Sequence, residues 1–268
     1  QEQAGLWAEA LAGWERAARH AARRSAHHEA TAHLKRALAL LARTTDGPDT
    51  VPLPGRDATE LRLQLLLSGL LITTQGYAAD QVRAVYDRAL VLARGLGDEA
   101  ALHKLRLGLE GYHFMRGDFA RAQAIADEVT ANLGDNPEPQ ARLQATMAHA
   151  NILFHQGRLP EAVALTDRCL ADYRQGGHRA TTVQDAGVMC LCYSSWALWE
   201  MGRADEALAR ARQGVALAEQ LKHPFSLGQA LGFLAVAHHF RGEPAPGLLA
   251  ARRAIAACEA GGFVQWLA

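Results

Sequence analysis

The segment His28-Glu-Ala-Thr-Ala-His33 places two imidazoles around a carboxylate, the residue types of a zinc hydrolase. That chemistry needs two His four positions apart, so that both face one side of a helix. Here the spacing is five, about 140° off a shared face at about 100° per residue, and no metal role is expected. Cys190 and Cys192 point to opposite sides of a helix and cannot grip one ion together. They read as small packing residues. Gly95-Leu-Gly97 lacks the third glycine and the preceding strand of a phosphate cradle and reads as a helix C-cap. No Gly-x-x-x-x-Gly-Lys-[Ser/Thr] run is present. Asp205-Glu206 open a helix, where they complement its dipole rather than form an acid–base pair. No Ser-His-Asp or Cys-His set emerges from the twelve His. The expectation is therefore no catalytic residue, no metal and no cofactor.

Composition supports a binding role over a catalytic one. Lys plus Arg and Asp plus Glu are 28 each, without the basic excess of a nucleic-acid binder. Ala and Leu dominate and β-branched residues are sparse, which favours helix. The four Cys lie in expected helices with no disulfide-framework spacing, which points to a reducing, cytoplasmic compartment. Leu61 to Ile72 is the longest apolar run. It carries Arg62 and Gln64 and is too short for a membrane span. Gln1 is not a natural start, so the chain is expected to be a fragment of a longer polypeptide.

The elements that would position any site are announced by a repeat. Gly117-Asp-Phe-Ala-Arg-Ala122, Gly157-Arg-Leu-Pro-Glu-Ala162 and Gly202-Arg-Ala-Asp-Glu-Ala207 share one phrase. Gly242-Glu-Pro-Ala-Pro-Gly247 is a decayed copy, and Ser25-Ala-His-His-Glu-Ala30 has Ser for Gly. The anchors 117, 157, 202 and 242 lie 40, 45 and 40 residues apart, a period that marks stacked helix hairpins. Seven residues before the turns stand Ala150, Ser195 and Ala235, small enough for two helices to cross closely, with Glu110 the exception. Ala37, Cys169, Gly214 and Ala254 follow twelve residues after each anchor and are again small. Hairpins are expected over 6–43, 58–95, 99–133, 138–174, 186–221 and 224–260, with another starting at 263–268. Loops are expected at 44–57 and 175–185, and Asn136-Pro137 would open the fourth hairpin.

The pattern Trp14, Ala18, Ser25, Ala30, Ala37 resembles a tetratricopeptide repeat in its longer variant of about 40 residues. A more specific resemblance covers nearly the whole chain. Ala4-Gly-Leu-Trp-Ala-Glu-Ala10, Trp14, Arg24-Ser25, Ala32-His-Leu34 and Gly76-Tyr-Ala-Ala79 are similar to the repeat region of bacterial signalling ATPases. So are Asp185-Ala-Gly-Val188, Cys190-Leu191, Leu198-Trp199, His223-Pro-Phe-Ser-Leu227, His239-Phe-Arg241 and Gly262-Phe263 with Trp266-Leu-Ala268. In that group the repeats follow an NTPase module, often with a class III adenylate or guanylate cyclase domain first. The resemblance implies an all-α, right-handed superhelical solenoid, 1–268 as one unit of six hairpins and a truncated seventh.

The same resemblance implies that the first helix of each hairpin lines a concave groove. Counting back from the turn glycines puts Lys104, Phe114, Met147, Asn151, Phe154, His155, Trp196, Trp199, Glu200 and His239 there. An aromatic and Met-rich surface with a few polar handles suits an amphipathic helix, an extended peptide or a flat effector. The competing expectation is that tight winding packs these side chains on one another. Asn151 and Lys104 are similar to single members of the carboxylate clamp of co-chaperone repeats, without its other members. The implied function is non-catalytic: a region that binds a protein or peptide, or a small effector, and biases the upstream NTPase. The alternative is a passive spacer or a homo-oligomerisation module. Neither nucleic acid nor membrane is an expected partner.

Overall fold

A computed structural model describes residues 2–24, 26–43, 53–133, 139–174 and 184–263. Among the described residues there are twelve α-helices and no strand. They are α1 Glu2–Arg23, α2 His27–Ala42, α3 Arg56–Gln75, α4 Asp80–Leu96, α5 Glu99–Met115 and α6 Phe119–Ala131. Then follow α7 Pro139–His155, α8 Leu159–Arg174, α9 Ala186–Glu200, α10 Ala204–Leu221, α11 Pro224–Phe240 and α12 Pro244–Gly261. The helices match the expected hairpins. Ser25, Asn136-Pro137, most of both long loops and the start of the seventh hairpin lie outside the described residues.

The repeated phrase is one turn, built four times. Gly117, Gly157, Gly202 and Gly242 have φ of 76°, 75°, 77° and 69°, left-handed values that a Cβ disfavours. Each N–H bonds back to the third carbonyl before it, as from Gly202 to Trp199 at 2.8 Å, and the next N–H reaches further, as from Arg203 to Leu198 at 2.9 Å. This closes the first helix in a Schellman-type cap. The following helix starts at once: Ala122, Ala162 and Ala207 donate to the carbonyls of Asp118, Arg158 and Arg203 at 3.0, 3.0 and 2.9 Å. The same pattern flanks Ser25, with Ala26 bonded to Ala21 and Ala30 to Ala26, both at 3.0 Å. Gly97 and Gly262 are left-handed C-caps, as the sequence indicated.

The small residues do what close crossing requires. Ala30, Ala37, Ala122, Ala150, Cys169 and Ser195 are fully buried, and Ala162 and Ala207 nearly so. Around them stand the larger core residues, spaced by helical periodicity. In α2, for example, Ala30, Leu34, Ala37 and Leu41 form a single apolar stripe.

The chain forms two compact units, 1–108 and 109–268. In the first, α1 packs on α2, α2 on α3 and α3 on α4. Its core is mainly Leu and Ala, with Tyr86 inserted. Glu60 is buried and grips Arg88 through two hydrogen bonds of 2.6 and 2.7 Å, with Arg56 at 3.2 Å. The Arg88 hydrogen bond holds the Glu60 carboxyl below its ordinary range despite burial. In the second unit α7 pairs with α8, α9 with α10 and α11 with α12, and α7, α9 and α11 also touch one another in series. Helix α9 is the centre of this unit. It is buried on nearly all sides, from Ala186 through Ser195 and again at Ala197 and Leu198.

Candidate functional site

The serial contact of α7, α9 and α11, with the end of α5, gathers the aromatic residues of the second unit on one face. The ring of Phe114 meets His155 edge-on at 4.7 Å and Phe119 at 5.6 Å. Phe154 lies 5.6 Å from Tyr193 and 6.3 Å from Trp196. Trp196 stacks on Phe233 at 4.0 Å with the planes 20° apart, and Trp199 stacks on Phe240 at 5.4 Å and 16°. Tyr193 touches His155, Trp196 and Phe233 and ties the row together. Offset and edge-on pairs of this kind contribute about 1 kcal/mol each beyond their buried area.

The residues expected in the groove divide by depth. Phe114, Met147 and Asn151 are buried in the floor. Phe154, Trp196 and Trp199 are half-buried, while His155, Glu200 and His239 are exposed. Eight of these nine share the floor or rim of the aromatic face, and Met147 joins the same core cluster. Lys104 is exposed and belongs to the first unit, so the structure does not bring it together with the others. Much of the aromatic surface is therefore spent on mutual packing, the competing expectation, and an open rim remains at Trp199, Phe240, His239 and Glu200.

Several site residues were not anticipated. Tyr193 and Phe233 both stand nine residues before a turn glycine, a register that holds Gly108 and Ala148 in the preceding hairpins. That shared register was the available signal. Glu110 is the other: a carboxylate in a column of small residues. It is only 7% exposed, and burial pushes its carboxyl up to about 8. The phenol of Tyr193 is raised by burial first and by its neighbours Cys192 and Glu110 second, which places the Glu110 carboxyl near this ring. The side-chain oxygen of Asn151 and the indole N–H of Trp196 are buried with no hydrogen-bond partner.

A second polar cluster in the same unit brings together Asp185, His223 and Ser226. The backbone N–H of Asp185 donates to Ser226 Oγ at 3.0 Å, and His223 Nδ1 lies 2.9 Å from the same oxygen. The Asp185 carboxylate accepts from the N–H of Val188 at 3.0 Å and from the Tyr173 hydroxyl at 3.0 Å. Ser226 is fully buried, and the carboxylate is committed to a helix N-cap rather than to the imidazole. The arrangement secures two helix starts and lacks the geometry of a hydrolytic triad.

The other chemistry-bearing residues have structural partners. His33 packs on Trp14 at 5.3 Å and lies 3.4 Å from Glu29. Glu206 is bound by Arg203 and Asp205 by Arg241 at the surface. All four Cys are buried free thiols. The Cys190 thiol is pushed up by its hydrogen bond with Cys169 and by burial, while Cys192 faces α10 at Gly214. Among the described residues no group of three or more His, Cys, Asp or Glu is placed to hold a metal, and no helix is long and apolar enough to cross a membrane.

No protein-family model matches the chain. An uncharacterized protein of Rhizobium meliloti (strain 1021) is 27% identical over 254 residues, 90% of this chain. The chain spans 23% of that relative's length. Among solved structures, a Rap protein complexed with competence and sporulation factor is similar at a TM-score of 0.61 and 13% identity, covering 97% of this chain and 67% of that one. BtubC from P. vanneervenii is similar at 0.54 and 15%, covering 92% and 91%. The apo form of RapI is similar at 0.51 and 12%, covering 95% and 66%. The fold is thus an all-α, tetratricopeptide-like solenoid of helix hairpins, a type common among protein-interaction modules.

Proposed function

We propose that this region is a non-catalytic binding module of a bacterial cytoplasmic signalling protein. The aromatic face of α5, α7, α9 and α11 forms a groove that receives a protein or peptide segment or a small effector. Occupancy then biases an NTPase, with or without a nucleotide cyclase, upstream in the same polypeptide. The observation that carries this reading is the open rim: Trp199 and Phe240 stack beside exposed His239 and Glu200 and have no partner element above them among the described residues. Paired aromatics with polar neighbours are the usual anchors of a recognised chain. The Rap protein of similar fold was solved in complex with competence and sporulation factor, which agrees with a binding role for such a scaffold. The buried free thiols agree with a reducing compartment. A ligand shifts such a module only through unequal affinity for its conformations. We further propose that the two units continue as one solenoid over 1–268.

Selection of a displayed random dodecapeptide library against the wild-type protein tests the binding reading. The expected result is an enriched family of sequences that fails to bind the folded Trp199→Ala, Phe240→Ala double variant. No enrichment, or enrichment indifferent to that change, overturns it.

One observation favours self-association instead. Leu248, Leu249 and Ile255 are 54%, 64% and 46% exposed along α12. If this surface is a homo-oligomer contact, light scattering will show a dimer that Leu249→Glu dissolves.

A further inference from the structure

The floor of the aromatic face has polar groups that the fold leaves unsatisfied, and they lie in one layer. Asn151 and Trp196 each stand six residues before a turn glycine, and Glu110 stands seven before. Glu110 precedes Phe114 by one helical turn, and Asn151 precedes His155 by one turn. The Phe114 and His155 rings touch at 4.7 Å, so Glu110 and Asn151 occupy matching positions one turn below that contact on neighbouring helices. Trp196 extends the layer onto α9, where its ring meets Phe154, Tyr193 and Phe233.

The chemistry of this layer is specific. Glu110 is 7% exposed, with no cation and no hydrogen-bond donor set against its carboxyl. The Asn151 side-chain oxygen is a buried acceptor without a donor, and the Trp196 indole is a buried donor without an acceptor. Burial alone pushes the Glu110 carboxyl up, which signals that no positive charge from this chain serves it. A buried acid without a partner is destabilising and is kept where something else supplies the counter-charge. The walls are aromatic π-faces, which attract cations and stack well on planar ones.

We propose that this layer is a guanidinium subsite that takes an arginine side chain of the bound segment. The guanidinium stacks among Phe154, Tyr193 and Trp196 and donates to the Glu110 carboxylate and to the Asn151 oxygen. The Trp196 indole N–H is left to donate to a main-chain carbonyl of the same segment. An ammonium is a poorer match because it is compact, strongly hydrated and cannot stack. The inference rests on the groove reading for its occupant, and its test is independent of any selected peptide.

The probes are Nα-acetyl-arginine amide and the matched Nα-acetyl-citrulline amide, which is planar but neutral. Each is titrated into the full 268-residue protein while the indole N–H resonances are followed, that of Trp196 being assigned by Trp196→Phe. The arginine probe is expected to move the Trp196 resonance saturably, with Trp7 and Trp14 of the first unit as unmoved references. Citrulline should bind about tenfold more weakly. Glu110→Gln should abolish that preference while retaining the helical circular dichroism and the Trp196–Phe233 contact shifts of the wild type. Equal response to the two probes, no response to either, or a preference that survives Glu110→Gln overturns the subsite. If library peptides bind without an arginine and ignore Glu110→Gln, the subsite fails while the groove stands. If the library yields nothing and the arginine probe still binds through Glu110, the subsite stands and the groove reading fails.

Discussion

The backbone N–H of Asp185 donates to Ser226 Oγ across 3.0 Å, joining the residue that caps α9 to the first turn of α11. Both partners are fully buried, so neither can turn to water. The two sequence phrases around them, Asp185-Ala-Gly-Val188 and His223-Pro-Phe-Ser-Leu227, are thereby two halves of one joint. Ser226→Ala leaves the Asp185 N–H without an acceptor and should lower unfolding stability by about 1–3 kcal/mol. Asp185→Ala removes the N-cap and strands the Tyr173 hydroxyl as well, so its loss should be larger. Urea unfolding of the two variants checks this order. Equal stability of Ser226→Ala and wild type would contradict the joint.

Glu110 gives the second unit a pH dependence of definite sign. Its carboxyl ionises near 4.5 in the unfolded chain and at about 8 in the folded one, because burial disfavours the charge. Between these values the folded state holds more protons, and stability from this group falls as pH rises. Glu110→Gln should match wild type near pH 4.5 and exceed it by about 3 kcal/mol at about pH 7. Denaturant titrations at about pH 4.5, 7 and 9 measure the gap. A gap that is the same at all three would show that the carboxyl is not desolvated.

The thiols should be silent in the native state. Cys169, Cys190, Cys192 and Cys258 are fully buried, and burial raises Cys192 and Cys258 while the Cys169 contact adds to burial at Cys190. Reaction with a disulfide reagent requires an accessible thiolate. At about pH 8 none should react in the burst phase, and all four should react after denaturation. A native burst equivalent to one thiol or more would place a cysteine at the surface.

The turn glycines separate backbone strain from crowding. A Cβ at Gly202 would meet nothing within 4 Å, yet its φ is 77°. Gly202→Ala should therefore cost about 1–2 kcal/mol from backbone strain alone, and Gly202→Asn less, because Asn tolerates that region. Thermal unfolding of the pair decides it. Equal losses for Ala and Asn would mean the turn relaxes.

The helices, their turns and the small residues at their crossings were legible in the sequence because each repeats at a fixed register, and repetition exposes a constraint that one copy would hide. The groove was legible in part for the same reason: Asn151 and Trp196, or Phe154 and Trp199, occupy equal positions in successive hairpins. Glu110 was visible only as a departure from its column, and its isolation from cations depends on three neighbouring helices. The Asp185–Ser226 joint spans 41 residues, and its residues look like ordinary helix starts until the helices are assembled. Lys104 shares the counting register of the groove, but register alone does not fix which compact unit a side chain serves.

The central claim, that the first helices of the second unit form the docking surface, is tested most directly by photo-cross-linking. A dodecapeptide enriched on the wild-type protein is made with a benzophenone residue at its centre, irradiated in complex, and the attachment point is read by mass spectrometry. Attachment at the rim, at Phe154, Trp199, His239 or their neighbours on α7, α9 and α11, is the expected result. Attachment confined to α8, α10 or α12 would contradict it.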